Sequence, residues 1–194
     1  CNTAYGNFSL ISGGRQNTSS GCYSTISGGQ NNISSGYTSF IGGGLYNNAI
    51  AESSSIGGGR YNTTNGFNAT IGGGFQNTSS GSYSTISGGH KNLICTNSGY
   101  YAYGSTISGG YCNVIDCSIA NVNTASEYYV SYSHSIGGGT LNCIGRQYTS
   151  KQIFGNTISG GVRNSILSNS GYYQTQGGNT ISGGYHNIIT SNIT

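Results

Sequence analysis

The sequence predicts an all-β chain wound as a parallel β-solenoid, or β-roll, of about eleven coils. Three observations carry this prediction. Glycine supplies 36 of the 194 residues, while Pro, Met and Trp are absent. Charge is scarce, with six Lys or Arg and three Asp or Glu. Above all, the chain repeats itself: Ile-[Ser/Gly]-Gly-Gly-x-x-Asn occurs ten times, beginning at Ile11, Ile26, Ile41, Ile56, Ile71, Ile86, Ile107, Ile136, Ile158 and Ile181. The first six copies are spaced by fifteen residues, and the later spacings are 21, 29, 22 and 23. Every added residue falls between a motif Asn and the next motif Ile. The chain therefore divides into regular solenoid repeats over 1–94 and a continuation of the same solenoid over 95–194 with Tyr-rich loop insertions.

A fifteen-residue unit is too short for two helices and shows no 3.6-residue period, but it fits two short strands and two tight turns. In Ser24-Thr25-Ile26 the alternation of side chains along a strand turns Ile inward and its neighbours outward. Ile26, Ile41, Ile56, Ile71 and Ile86 are thus expected to form one inward ladder. The glycines that follow allow a positive φ and close approach to the next coil. Asn17, Asn32, Asn47, Asn62 and Asn77 come after that turn in successive copies. Their amides can pair with the same amide one coil away and with turn backbone groups otherwise buried without partners. Between Asn and Ile, copies such as "NTSSGCYSTI" and "NTTNGFNATI" show a softer second motif of small polar residues, a Gly and an aromatic. The chain begins inside this second half, as an internal piece of a longer polypeptide would.

At ~4.8 Å per coil the stack is a rod on the order of 50 Å long. One large apolar residue per coil offsets little of the backbone entropy lost on ordering that coil. Neighbouring coils, and neighbouring chains, must supply the rest. Self-association into a homotrimer or filament is expected for the same reason.

The phrase S-T-I-S-G-G-x-x-N-x-x-S-G-x-Y resembles the head repeats of YadA-like trimeric autotransporter adhesins and related Gly-rich repeats of phage and giant-virus fibres. The likeness is close over 1–94 and continues as the motif alone to 194. It implies a left-handed parallel β-roll, three chains around one axis, and adhesion or display at an extracellular, cell or virion surface. The unit departs from that class in having fifteen residues rather than fourteen, and Gly-Gly rather than one Gly after Ile. The resemblance transfers no functional residue.

Other function classes are set aside on chemistry. Gly at every third position is lacking, so this is not collagen. Six scattered basic residues make a poor phosphate-neutralising stripe, so nucleic acid is not an expected partner. No run of 18 apolar residues occurs, and membrane insertion is not expected. A Gly-rich phosphate loop needs a following helix, and a calcium-binding roll needs Asp in every repeat. No catalytic residue, cofactor or metal ligand is therefore expected, and the chain is read as a non-enzyme. The carboxylates Glu52, Asp116 and Glu127 leave one thin alternative, a tailspike-like glycan hydrolase using Asp116 and Glu127. These two and His134 read as solvated residues of the longest insertion, 114–135. His90 and His186, at variable motif positions, read as surface residues.

The candidate binding residues are the insertion tyrosines Tyr100, Tyr101, Tyr103, Tyr128, Tyr129, Tyr172 and Tyr173. Loops leaving one edge of successive coils would gather these rings into a patch for a glycan or a receptor protein. A purely structural filament is the plainer alternative. An ice-binding solenoid is another, resting on Thr25, Thr70, Thr85, Thr106, Thr157 and Thr180 before the motif Ile, with Leu10 and Phe40 interrupting. Of six Cys, Cys95 and Cys117 share nearly the same register on adjacent coils and are the first expectation for a disulfide, with Cys112 and Cys143 second. Asn7, Asn17, Asn32, Asn62, Asn68, Asn77 and Asn192 open Asn-x-Ser/Thr sequons.

Overall fold

The computed structural model describes residues 1–95, 100–115, 129–146, 152–170 and 175–193. Within them the chain is all β, and the strand pairs are parallel. It is a parallel β-solenoid. Two-residue strands such as Thr18–Ser19, just after the motif Asn, stack into an 11-stranded sheet. Strands such as Thr25–Ile26, ending on the motif Ile, stack into a 10-stranded sheet. Both sheets pair each strand with its counterpart one repeat away: Thr18 with Ile33, Thr25 with Phe40.

The coil has a third side that the two-strand reading did not foresee. The residue after the last motif Gly forms a one-residue parallel bridge to the next coil, linking Arg15, Gln30, Leu45 and Arg60 and continuing to Tyr185. It is followed by a residue in the left-handed region, as with Asn31 at φ 55° and Tyr61 at φ 57°. That conformation reverses the direction of the amide. Gln30 N–H donates to Gly44 on the next coil at 2.9 Å, whereas Asn31 N–H donates back to Arg15 at 3.0 Å.

The motif Ile side chains form the expected inward ladder, with Ile26, Ile41, Ile56, Ile71 and Ile86 all fully buried. Outward neighbours such as Thr25 are half-buried. The Asn ladder also forms, with a different main contact. Asn17 Oδ1 accepts the backbone N–H of Asn32 at 3.0 Å, and Asn32 Oδ1 accepts that of Asn47 at 2.9 Å. The Asn32 amide group donates to Gly28 O at 3.1 Å and Gly44 O at 2.9 Å, tying its own turn to the next. Direct amide-to-amide bonds are the longer ones, as from Asn62 to Asn47 at 3.2 Å. The ladder continues through Asn113, Asn142 and Asn164 to Asn187, although up to 29 residues separate its members.

Of the motif glycines, the last is obligatory. At Gly59 φ is +84°, and a Cβ there would overlap the carbonyl oxygen of Gly74 and crowd Asn62 Nδ2. Gly58 faces open space.

The expectation of one large apolar residue per coil holds only for the first half. Two residues after the motif Asn, the regular coils bury Ser19, Ser34, Ala49, Thr64 and Ser79, while later coils bury Ile94, Ile115, Ile144 and Ile166. In three of these coils a Ser at this position meets a second buried Ser across the turn. The Oγ atoms of Ser19 and Ser24 lie 2.7 Å apart, those of Ser34 and Ser39 2.7 Å, and those of Ser79 and Ser84 2.6 Å.

Candidate functional site

The insertions leave the solenoid at one corner and build a sheet of their own. Tyr100–Tyr103, Tyr129–Tyr132, Gln152–Phe154 and Thr175–Gly177 form a 4-stranded parallel sheet in that order. Its register aligns Tyr100 with Tyr129, and Tyr103 with Tyr132 and then Phe154. Of the candidate tyrosines, Tyr100, Tyr101, Tyr103 and Tyr129 thus stand in one sheet. Tyr128, Tyr172 and Tyr173 lie outside the described residues. Tyr103 is half-buried, its ring centroid 6.4 Å from that of Tyr83, so part of its surface serves packing. On the outgoing arm of the insertions the strands after the motif Asn lengthen, and Ser165–Ser170 pairs with Ile188–Ile193 along six residues.

The same corner carries aromatic rings before any insertion begins. Phe8 stacks on Tyr23 at 5.0 Å, Tyr23 meets Tyr37 edge-on at 5.7 Å, and Phe67 meets Tyr83 at 5.4 Å. The Tyr83 to Tyr103 contact joins this run to the insertion sheet.

A second aromatic run, which the insertion-centred reading missed, lies along the third side. Tyr46 stacks on Tyr61 at 5.1 Å; Phe75 then sits edge-on to Tyr61 at 5.9 Å, His90 to Phe75 at 5.0 Å, and Tyr111 to His90 at 5.0 Å. The Arg60 guanidinium lies 5.1 Å from the centroid of Tyr61. Further along, Arg163 donates to the Tyr185 hydroxyl at 3.4 Å. Hydrogen bonding with the Cys112 thiol holds the pKa of the Tyr111 phenol above its ordinary value. The signal was legible: the two x positions of Gly-Gly-x-x-Asn hold an aromatic, a cation or His in most copies.

Two histidine expectations change. His90 is half-buried between two rings rather than a plain surface residue. His134 is only 1% exposed, so it is no solvated loop residue. It occupies the corner position held by Ser105 one coil earlier and by Asn156 one coil later. Its Nδ1 accepts the backbone N–H of Asn156 at 3.2 Å, and Asn156 Oδ1 accepts that of Asn179 at 3.1 Å. A second buried polar ladder therefore starts at His134.

Asp116 and Glu127 lie outside the described residues; Glu52 is exposed on a turn. No group of three potential metal ligands occurs among the described residues. Cys112 carries a free thiol, so the Cys112–Cys143 bridge is not formed. The two residues sit on opposite sides of their motif Asn, and Cys143 pairs in the sheet with Val114 rather than with Cys112. Cys117 lies outside the described residues. Four sequons are closed to glycosylation in the folded chain, because Asn17, Asn32, Asn62 and Asn77 are fully buried.

No protein-family model matches the chain, and no curated protein matches it.

Proposed function

We propose that this chain is a structural and adhesive repeat module of an extracellular, cell-surface or virion-surface fibre that binds a glycan or a receptor protein through its insertions. The observation that carries the reading is the in-register insertion sheet, which repeats aromatic residues at coil spacing on a rigid spine. A ladder of that kind gives a ligand several equivalent contacts, and aromatic residues with nearby hydroxyl and amide groups suit sugars and protein surfaces alike. The likeness of the motif to YadA-like adhesin heads and viral fibre repeats points the same way. Self-association fits the apolar side chains left exposed on the outward strand faces, among them Leu10, Ile33 and Ile188.

The test is binding to cells and to a glycan array by two variants. Tyr100, Tyr101, Tyr172 and Tyr173 are replaced by Ser in one. In the other, residues 97–102 and 169–176 are removed, with Ile94 and Ile166 changed to the Ser of the regular coils. Both should keep the β-sheet circular dichroism of the parent; the first should weaken binding and the second abolish it. Binding that survives both makes the insertions packing elements of a purely structural filament.

A secreted location also accords with a Cys95–Cys117 disulfide. Cys95 Sγ lies 3.8 Å from the carbonyl oxygen of Ile115, two residues before Cys117. Peptide mapping without reduction should recover that pair linked, and free thiols at both positions would remove it.

Ice binding is the weaker reading. Thr70, Thr85 and Thr106 do align in one ladder, but Phe40 and Ser55 break it on one side and Ser135 on the other.

A further inference from the structure

We propose that the edge formed by the two variable motif positions, running from Arg15 to His186, is a binding surface for an acidic polysaccharide. It is a different surface from the insertion sheet and does not depend on that reading.

The first observation is where the charge lies. Arg15, Arg60, Lys91 and Arg163, four of the six Lys and Arg, all fall in these two positions, and all are exposed. Cations that look scattered along the sequence are collected by the solenoid onto one edge. Glu52, the one carboxylate side chain among the described residues, belongs to the other corner. The second observation is conformational. The second variable position is left-handed in every motif copy, at φ between 53° and 58°, yet its residues include Tyr46, Tyr61, Lys91, Leu141, Arg163 and His186. Backbone geometry alone favours Gly or Asn there. Large side chains held in an unfavourable conformation point to a use for those side chains. The third is the run of rings from Tyr46 to Tyr111, flanked by Arg60 and Lys91, with Gln30, Asn31 and Gln76 supplying amides on the same edge.

The spacing selects the ligand class. Along the bridge ladder, Arg15 to Arg60 is three coils, Arg60 to Lys91 two, and Lys91 to Arg163 three. At ~4.8 Å per coil, the cations stand about 10–14 Å apart. Duplex DNA presents one charge per about 1.7 Å, so this edge would leave nearly all of its phosphates uncompensated. A sugar polymer with one carboxylate or sulfate every few residues matches sparse cations. Its pyranose faces and hydroxyls match the rings and amides between them.

The experiment measures binding of the full chain to hyaluronan (one carboxylate on every second sugar), partially methyl-esterified polygalacturonate (one carboxylate every few sugars), dextran (neutral) and oligodeoxythymidine, at low and physiological salt. The key variant carries Arg15→Gln, Arg60→Gln, Lys91→Gln and Arg163→Gln; Gln already occupies these columns at Gln16, Gln30 and Gln76, so the fold should tolerate it. We expect the parent to bind at least one acidic polysaccharide and not dextran, more weakly as salt rises. The variant should lose about tenfold or more with an unchanged melting curve. Tyr46→Ser with Tyr61→Ser should weaken binding severalfold, and the insertion-trimmed chain should bind as the parent does. The proposal is overturned by a parent that binds neither acidic polymer, by a quadruple variant that binds like the parent, by oligodeoxythymidine bound more tightly than either, or by loss of binding on trimming alone.

Discussion

In the coils up to residue 94 the corner between the two long sheets is filled by small residues, three times as a hydroxyl pair, Ser19 with Ser24, Ser34 with Ser39 and Ser79 with Ser84. From Ile94 onward the equivalent positions hold Ile94, Ile115, Ile144 and Ile166 on one strand and Ser105, His134, Asn156 and Asn179 on the other. The spine is the same in both halves, since the Ile and Asn ladders pass from one to the other without a break. What differs is how the chain crosses from one sheet to the next. A four-residue turn such as Ser20–Tyr23 pins the two strands close, and only a small residue fits between them; a hydroxyl pair then satisfies both buried oxygens. A longer excursion relaxes the corner, admits a second Ile column and moves the polar ladder to His134 and the Asn residues after it. Two unpaired buried hydroxyls fall where this logic predicts. Thr64 Oγ1, opposite Ala69, and Ser105 Oγ, in the coil after the first corner Ile, have no hydrogen-bond partner among the described residues.

Breaking what the halves share should cost most. Ile56→Asp places an unpaired carboxylate in the common Ile ladder, at a cost of several kcal/mol, and thermal melting should show loss of the cooperative transition. An unchanged melt would mean that Ile56 does not face the core. Next comes the contrast within one turn. Gly59→Ala forces a Cβ into the carbonyl of the next coil and should destabilise by about 2–4 kcal/mol, while Gly58→Ala should stay within about 0.5 kcal/mol in urea unfolding.

The corner itself can be tested by exchange. Ile144→Ser should cost about 2–4 kcal/mol through lost burial, and Ser79→Ile about 1–3 kcal/mol through overpacking. Equal tolerance of Ile on both sides would dissolve the distinction between the halves. His134→Ala leaves the Asn156 N–H without its acceptor and should cost about 1–3 kcal/mol, whereas His134→Asn, the residue of the following coils, should recover most of it. The smallest effect is a gain: Thr64→Val removes an unpaired hydroxyl at nearly constant shape and should raise stability by up to about 1 kcal/mol.

Much of this was legible in the sequence because period and burial coincide. The fifteen-residue spacing, the inward Ile and the role of Asn follow from strand alternation and amide chemistry, and the solenoid follows from them. The third side was not legible, since a one-residue bridge leaves no run of residues to recognise. His134 was misread because its place in the chain, at the end of a long insertion, looks like a loop. Only its offset of two residues from Ile136 marks it as a core position, and Asn156-Thr157-Ile158 and Asn179-Thr180-Ile181 carry the same mark. The Ile two residues after the motif Asn in the later copies was likewise present as a signal, visible once the Ser pairs explain why earlier coils lack it. The content of the edge from Arg15 to His186 was legible in the two x columns of the motif, and it escapes a reading that counts charges along the chain instead of by column.

Every coil is joined to the next by hydrogen bonds that run along the axis of the stack, as from Thr18 to Asn32, Thr25 to Ser39 and Gln30 to Gly44. A tensile load applied at the two ends would therefore act along these bonds and meet them coil by coil, instead of shearing many at once. A released regular coil of fifteen residues extends to about 50 Å, against the ~4.8 Å it occupied in the stack. Under tension such a rod should yield in discrete steps, each coil lengthening roughly tenfold as it is released, which single-molecule pulling would record as a regular series of extensions.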